Sequence, residues 1–472
     1  MKLLLINPHE QNIISTRPVM ALEKNSAFFP SLGLLYIATY LNSSRNHRAE
    51  VIDISAQNPE ALFPKLLSFK PQVAGINVTS FNLLSALDVA RTIKRINPNI
   101  KIILGGPHAT IYPAETASYE NVDFAVSGEG EKTTLHLLDS LESSGRADNI
   151  PGVTFTTDGG RIITTPPELI EDLDSLPFPD RTLLPYKKHF NILSERKPST
   201  TMFSGRGCNH NCSFCYHSFG RAIRLRSASN VADEMEYVSR LGIRDVFFFD
   251  DSFTVSRKRV IELCIDLIRR SLNLEWAVRG RVDSVDSEML RYMKAAGCRR
   301  IHYGVETANK ETLRSYDKRI TPEKVRHAFR LTRNSGIKIG ADFMLGGPGE
   351  TYSKIINTVN YCLELNPDFA FFDITTPYPK TRLYHQALAK GILDSDYWGD
   401  FAASPDREMR IKYWEEYLSR GELESLLRKA VFRFYFRPLY ILKLLYFTRS
   451  FSSLFGKFKK SVTMVNYLFK NL

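Results

Sequence analysis

Three cysteines fall within eight positions of "GRGCNHNCSFCYHSFGR", residues 205–221, at the spacing Cys208-x3-Cys212-x2-Cys215. Thiols this close together can hold metal. A structural zinc site is usually closed by four side chains. No second cysteine pair lies nearby, so His210 or His217 would have to complete one. Three thiolates alone suit an iron–sulfur cluster with one iron left open, useful only if a substrate or cofactor occupies it. Spacing leaves both metals open. Cys264, Cys298 and Cys362 fall in helical patterns or at a helix end, where a small buried residue is unremarkable.

The elements around this loop decide where it can act. Strands are expected at Thr200–Ser204, Asp245–Phe249, Glu275–Val278, Arg300–Gly304, Lys338–Met344 and Phe369–Ile374. Helical patterns lie between them, and the cysteine loop directly follows the first strand. Six βα units predict a partial (β/α)6 barrel of TIM type, with chemistry at the C-terminal strand ends. Ahead of it, apolar runs at Lys2–Ile6, Glu50–Ile54, Val73–Val78, Ile100–Leu104 and Phe124–Val126 alternate with helical patterns. That alternation means a parallel sheet covered on both faces, a flavodoxin-like doubly wound domain. Ligands of such sheets bind beyond the carboxyl ends of the strands. The loops there are "INPHE", "NVTSFN", "LGGPHAT" and "SGEGE", and Gly105, Gly106, Gly128 and Gly130 would admit close backbone approach.

The expected organisation is a doubly wound domain at 1–145, a hairpin and Pro-rich connector at 146–198, the partial barrel at 199–395, and a helical, basic, aromatic region at 396–472. The hairpin turns at Asp158-Gly159-Gly160. The chain has 472 residues and a formal charge of +12, but Ser425–Leu472 holds ten Lys/Arg and no Asp or Glu. The rest is close to balanced, so no nucleic-acid partner is expected. Few cysteines and no charged-then-apolar leader imply a reducing, cytoplasmic setting. The tail "RKAVFRFYFRPLYILKLLYFTRSFSSLFGKFKKS" never reaches the roughly 18 clean apolar residues of a membrane span. Such a segment suits either an anionic membrane surface or a helical cap on the barrel.

"RGCNHNCSFC" resembles the signature of the radical S-adenosylmethionine (SAM) superfamily. The resemblance implies that Cys208, Cys212 and Cys215 hold a 4Fe-4S cluster whose fourth iron takes the amino and carboxylate groups of SAM. Phe214 would then pack near the adenine. "FFFDDSF", "HYGVET", "GADFMLGGPGET" and "TPYPKTRLY" resemble later strand ends of the same family. They imply polar contacts to the methionine moiety from Asp250 and Asp251, a ribose contact from Glu306, and backbone contacts to adenine from Gly346 and Gly347. Asp250, Asp251, Arg279, Arg281 and Tyr378 are the candidates to line a substrate cavity.

The N-terminal segments "PSLGLLYIATYL", "GGPHAT" and "DFAVSGEGE" are similar to the cobalamin-binding class of that superfamily, so the likeness covers about residues 1–395. It implies bound cobalamin contacted by Thr79, Ser80, Gly105, Gly106 and Gly128. His9 and His108 lie outside any Asp-x-His-x-x-Gly motif, so no histidine lower ligand is expected. The class implies 5′-deoxyadenosyl radical chemistry, fed by an external one-electron donor such as flavodoxin or ferredoxin. Its outcome is methylation of an unactivated carbon of a small-molecule or lipid substrate, or ring closure of the anaerobic magnesium-protoporphyrin ester cyclase type. An RNA methylthiotransferase normally has further cysteines in its N-terminal domain, and residues 1–207 contain none. A cluster or cobalamin sensor that performs no chemistry is the non-enzymatic alternative.

Overall fold

The apolar runs become two parallel sheets packed around a shared space. A computed structural model describes residues 1–8, 27–44, 46–54, 59–191, 193–194, 196–438 and 440–442. In chain order the first strands are β1 (Lys2–Asn7), β2 (Ala27–Phe28), β3 (Arg48–Asp53), β4 (Val73–Asn77), β5 (Lys101–Gly105), β6 (Phe124–Val126), β7 (Val153–Thr156) and β8 (Ile162–Thr164). One sheet runs β3-β1-β4-β5-β6-β7-β8, and its first five strands are parallel in the order expected of a flavodoxin-like fold. Leu3–Ile6 and Ile102–Leu104 are buried because helices cover both faces. The helix Leu83–Ile96 buries Leu83, Ala86, Val89, Ala90 and Ile93, the spacing of one helical face. The hairpin around Asp158, grouped above with the connector, is instead the antiparallel edge of this sheet. Its first strand, β7, pairs with β6 through Val126–Val153.

The chain then forms β9 (Phe190–Asn191), which pairs with β2, and β10 (Ser199–Met202). The short antiparallel strands β11 (Gly205–Arg206) and β12 (Arg224–Leu225) bracket the cysteine loop. The strands β13 (Asp245–Phe248), β14 (Glu275–Gly280), β15 (Cys298–Glu306), β16 (Lys338–Leu345) and β17 (Phe369–Ile374) follow. With β10 they make a parallel six-stranded sheet, β10-β13-β14-β15-β16-β17, open between its two edge strands. Helices return between the strands. Ser227, Ser256, Asp286, Thr321 and Thr381 each accept a backbone N–H at a helix start, a cap of about 1 kcal/mol apiece.

Cys298 is the first residue of β15 rather than part of a helix or its end, whereas Cys264 and Cys362 are helical as expected. All three are fully buried. The C-terminal region is no loose appendage over its described part. Trp398 and Trp414 join the core that contains Ala109, Tyr112 and Ala117 of the first domain. The helix Arg420–Tyr435 buries Leu423, Leu426, Leu427, Ala430 and Phe434 against the barrel core. Most of the basic tail lies outside the described residues. Among those described, no helix is long and apolar enough to cross a membrane.

Candidate active site

The cysteine loop leaves the barrel after β11 and returns at β12, and both of its ends are pinned. Gly207 adopts φ 90°, and any β-carbon there would strike the Ala222 carbonyl, so only glycine permits the turn. The Ser213 amide donates to the Tyr316 carbonyl at 2.8 Å, and the Leu383 amide to the Ser213 carbonyl at 2.7 Å. Cys212 is buried, Cys208 half-buried and Cys215 exposed. A hydrogen bond from the Cys215 thiol lowers Cys212 to about 6, and the cations of Lys318 and Arg281 act in the same direction. Cys215 keeps the proton and is pushed up. Burial raises Cys208, with Asp251 adding to the effect and Arg281 opposing it, so the cations favour the thiolate at Cys212 above all.

Both cations are paired. Arg281 forms a fork with Asp283, 2.9 Å on each arm, and donates to the Lys318 carbonyl at 3.0 Å. Lys318 donates to Glu306 Oε1 at 2.6 Å and lies over the Phe214 ring at 5.6 Å. Glu306 holds φ 65°, an uncommon backbone for a non-glycine residue, where β15 and β16 slip register between Gly304 and Glu306. The bulge re-aims this carboxylate toward the loop. Phe214 meets Tyr316 edge-on at 5.1 Å. Thus Cys212, Phe214, Glu306, Arg281 and Lys318 converge.

Other expected residues have different company. Asp250 is 2% exposed, accepting the Ser204 amide at 2.7 Å and the Ser204 hydroxyl, while Arg259 donates to that hydroxyl at 2.9 Å. Burial raises its carboxyl. It is an anchor beneath the loop, not a lumen group. Asp251 does reach the loop, where the Gly207 amide donates to it, although burial raises it. The amides of Gly346 and Gly347 donate to Glu350 Oε2 at 2.9 and 3.1 Å, so they are not free for adenine. Tyr378 packs edge-on against Phe81 of the first domain at 6.0 Å.

The barrel lumen holds two groups that the motifs did not single out together. Arg279 lies over Phe247 and Phe249 at 5.8 and 5.3 Å. Burial raises Asp342 on β16 to about 7, against the pull of Arg279. The rings of Phe29, Phe247, Phe249, His302 and Phe371 follow one another at 5.0–6.2 Å, making an aromatic wall.

A cavity of about 620 Å³ separates this wall from the ends of the first sheet. That volume is within the ~300–1,000 Å³ typical of small-molecule and cofactor sites. Thr79, Gly105, Gly106 and Gly128 line it, together with Gly33, Tyr36, Phe203 and Phe249. A β-carbon on Gly33 would meet nothing within 4 Å. Ser80 is the exception. Its hydroxyl turns to His108 Nδ1 at 2.9 Å, and His108 Nε2 meets the Tyr119 hydroxyl at 3.1 Å. Tyr119 donates to the Ala402 carbonyl, so Nε2 must carry the histidine proton. Both ring nitrogens are occupied, and burial lowers His108 to about 4. His9 lies outside the described residues.

The glutamates of "SGEGE" line the cavity and reach across the interface to arginines of the barrel. Arg206, two residues before Cys208, meets Glu131 at 2.5 Å and Glu129 at 3.1 Å, and Arg224 meets Glu129 at 2.8 Å. The loop carrying the cysteines also contributes Tyr216, Ser218 and Phe219 to the cavity wall. Neither role had a signal in the sequence beyond buried-type charges in a glycine-rich context.

Residues 202–362 match the family model described as the Radical SAM superfamily, and residues 21–138 that described as the B12 binding domain. An uncharacterised methyltransferase of Pyrococcus horikoshii is 31% identical over 88% of this chain and 89% of that protein. The anaerobic magnesium-protoporphyrin IX monomethyl ester cyclase of Rubrivivax gelatinosus is 30% identical over 76% of this chain and 66% of that protein. The solved structure of the cobalamin-dependent radical enzyme OxsB, with aqua-cobalamin and SAM bound, shares the fold. Its TM-score is 0.75 over 99% of this chain and 72% of that one, at 16% identity. With the three-cysteine loop at the strand ends of an open barrel, and a flavodoxin-like sheet facing it, the chain belongs to the radical SAM superfamily, among the enzymes that carry a B12-binding domain.

Proposed function

We propose that this enzyme methylates an unactivated carbon of a small apolar molecule, using a 4Fe-4S cluster, SAM and cobalamin. The observation that supports this most directly is one loop: residues 208–219 carry all three loop cysteines and also contribute Tyr216, Ser218 and Phe219 to the cavity wall. The donor set suits the cluster: one loop offers three thiols and no fourth, with Lys318 and Arg281 acting on Cys212. The cavity fits cobalamin, being lined by small loop residues and open space at Gly33. When bound, these groups supply a 5′-deoxyadenosyl radical and a methyl donor.

The protein's own part is positioning. Cys208, Cys212 and Cys215 hold the cluster, with Lys318 and Arg281 favouring the thiolate at Cys212. Glu306 receives ribose hydroxyls, Phe214 flanks the adenine, and Asp251, Arg279 and Asp342 meet the polar groups of SAM. Thr79, Gly105, Gly106 and Gly128 cradle cobalamin. The wall from Phe29 to Phe371 excludes water and holds the substrate's apolar body. An external one-electron carrier, flavodoxin or ferredoxin, would supply the electron that a bound cluster needs.

Anaerobic reconstitution with iron, sulfide and cobalamin tests this reading. The expected result is reductant-dependent 5′-deoxyadenosine together with bound cobalamin. Stable binding of both cofactors with no nucleoside formed would leave a sensor. Mass spectrometry of lipid and pigment extracts from cells with and without the gene then identifies the product: a one-carbon gain supports methylation, and loss of hydrogen on ring closure overturns it.

A lipid or isoprenoid substrate is favoured by the start of the C-terminal segment. Phe432, Ile441 and Leu442 are exposed there, beside Arg428, Lys429 and Arg433. Such a surface suits peripheral attachment to an anionic membrane. The full chain should co-sediment with phosphatidylglycerol vesicles and not with phosphatidylcholine vesicles; equal recovery with both removes the membrane from the reading.

A further inference from the structure

The outer side of the cysteine loop carries charge that neither cofactor site uses. Asn211, immediately before Cys212, is gripped by arginines from two elements. Arg221 donates to its side-chain oxygen at 2.6 Å, and Arg382 donates to its carbonyl. Arg382 also meets Asp317 Oδ2 at 3.0 Å, and the Asn211 amide donates to that same oxygen at 3.1 Å. Arg319 meets Asp317 Oδ1 at 2.8 Å. Arg319 and Arg382 therefore share one carboxylate while Arg221 bonds to an uncharged amide, leaving two positive charges over on the loop's outer rim.

The patch is open to solvent. The side chain of Arg319 is 72% exposed and that of Arg382 47%, and Arg221 is exposed as well. The inner charges are already paired, Arg281 with Asp283 and Lys318 with Glu306. Clamping Asn211 requires Arg221 and Arg382 but not Arg319, which bonds only to Asp317 and points its charge outward.

We propose that Arg221, Arg319 and Arg382 form the docking surface for an acidic one-electron carrier protein, a flavin or iron–sulfur carrier. This rests on the proposed cluster at Cys208, Cys212 and Cys215. A carrier seated on Asn211 faces the residue next to a cluster thiolate. One electron leaves the carrier and enters the cluster, so the carrier is oxidised by one electron and the cluster reduced by one. No bond forms or breaks at the patch. Opposite surface charges raise the encounter rate and orient the partner, and salt weakens both.

The probe is bacterial flavodoxin, compared with dithionite, which needs no docking surface. The variants are Arg319→Ala and Arg319→Glu. Binding of oxidised flavodoxin to the full-length protein is measured by biolayer interferometry at low and high salt. 5′-Deoxyadenosine formation is measured with reduced flavodoxin and with dithionite. Arg319→Glu is expected to weaken flavodoxin binding more than Arg319→Ala does, by about tenfold at low salt. It should also lose most of the salt dependence of the wild type, while its dithionite-driven rate stays within about twofold. Unchanged flavodoxin binding overturns the docking surface. Equal loss with both reductants also overturns it, because the arginines would then only brace the loop. If the wild type forms no nucleoside even with dithionite, the cluster reading fails on its own, and the binding measurement still decides the surface.

Discussion

The cavity and the barrel lumen adjoin each other yet are built on different principles. The cavity wall is largely aliphatic, aromatic or glycine: Leu3, Leu5, Ile76, Ile103, Val126 and the loop glycines. Its charged members Arg206, Glu129 and Glu131 are spent on one another. The lumen side presents Arg279, Asp342 and the Lys318–Glu306 pair against rings. A wall of the first kind recognises a large body by shape; one of the second kind recognises a small polar ligand by charge. It follows that added bulk should injure the cavity and removed charge should injure the lumen.

The largest effect expected lies at the boundary between them. Cys212→Ala should abolish cluster incorporation and lower 5′-deoxyadenosine formation by about a thousandfold or more, while cobalamin uptake by the cavity stays near that of the wild type. Iron content and the cobalamin absorbance of the same sample check both halves. Concurrent loss of cobalamin would show that the two regions are not separable. The complementary break is Gly33→Trp, which adds a large ring where a β-carbon has open space. Cobalamin retention should fall by about tenfold or more, with the cluster and nucleoside formation intact.

Charge removal sharpens the contrast in the lumen. Glu306 and Lys318 are both nearly buried, so Lys318→Met strands a carboxylate at a cost of about 3 kcal/mol. The variant should melt earlier and raise the KM for SAM by about tenfold. Adding Glu306→Gln should restore most of the melting temperature but not the KM. Recovery of both would make the pair purely structural.

The folds of both regions were legible, their ligand-facing atoms less so. Apolar runs bounded by turn residues report strands directly, and the cysteine spacing located the loop. Loop glycines were ambiguous, because the same residue serves close packing and ligand approach. Gly105 and Gly128 line the cavity, whereas a β-carbon at Gly347 would strike the Tyr316 hydroxyl and one at Gly346 the side chain of Leu423. Ser80 sat in the right loop, but its rotamer is set by His108, twenty-eight residues away. Lys318 had no signal, since it becomes a partner of Glu306 only through the bulge in β15. Asp342 did have one: an acid inside the largely apolar run "GADFML" is out of place in a barrel strand unless it faces the lumen.

That acid gives the smallest effect and the finest test of the lumen's character. Burial raises Asp342 to about 7, whereas an unfolded chain has it near ~3.9. Between those values the folded protein holds a proton that the unfolded chain has released, so stability falls as pH rises through that window. Below pH ~4 both states are protonated and the group contributes no difference. Asp342→Asn removes the titration. In cluster-free protein its melting temperature should exceed that of the wild type at pH 8, by an amount corresponding to about 1–3 kcal/mol, and the two should converge toward pH 4. A constant offset across that range would mean that the carboxyl is ionised throughout and firmly paired, and that the lumen is as self-satisfied in charge as the cavity.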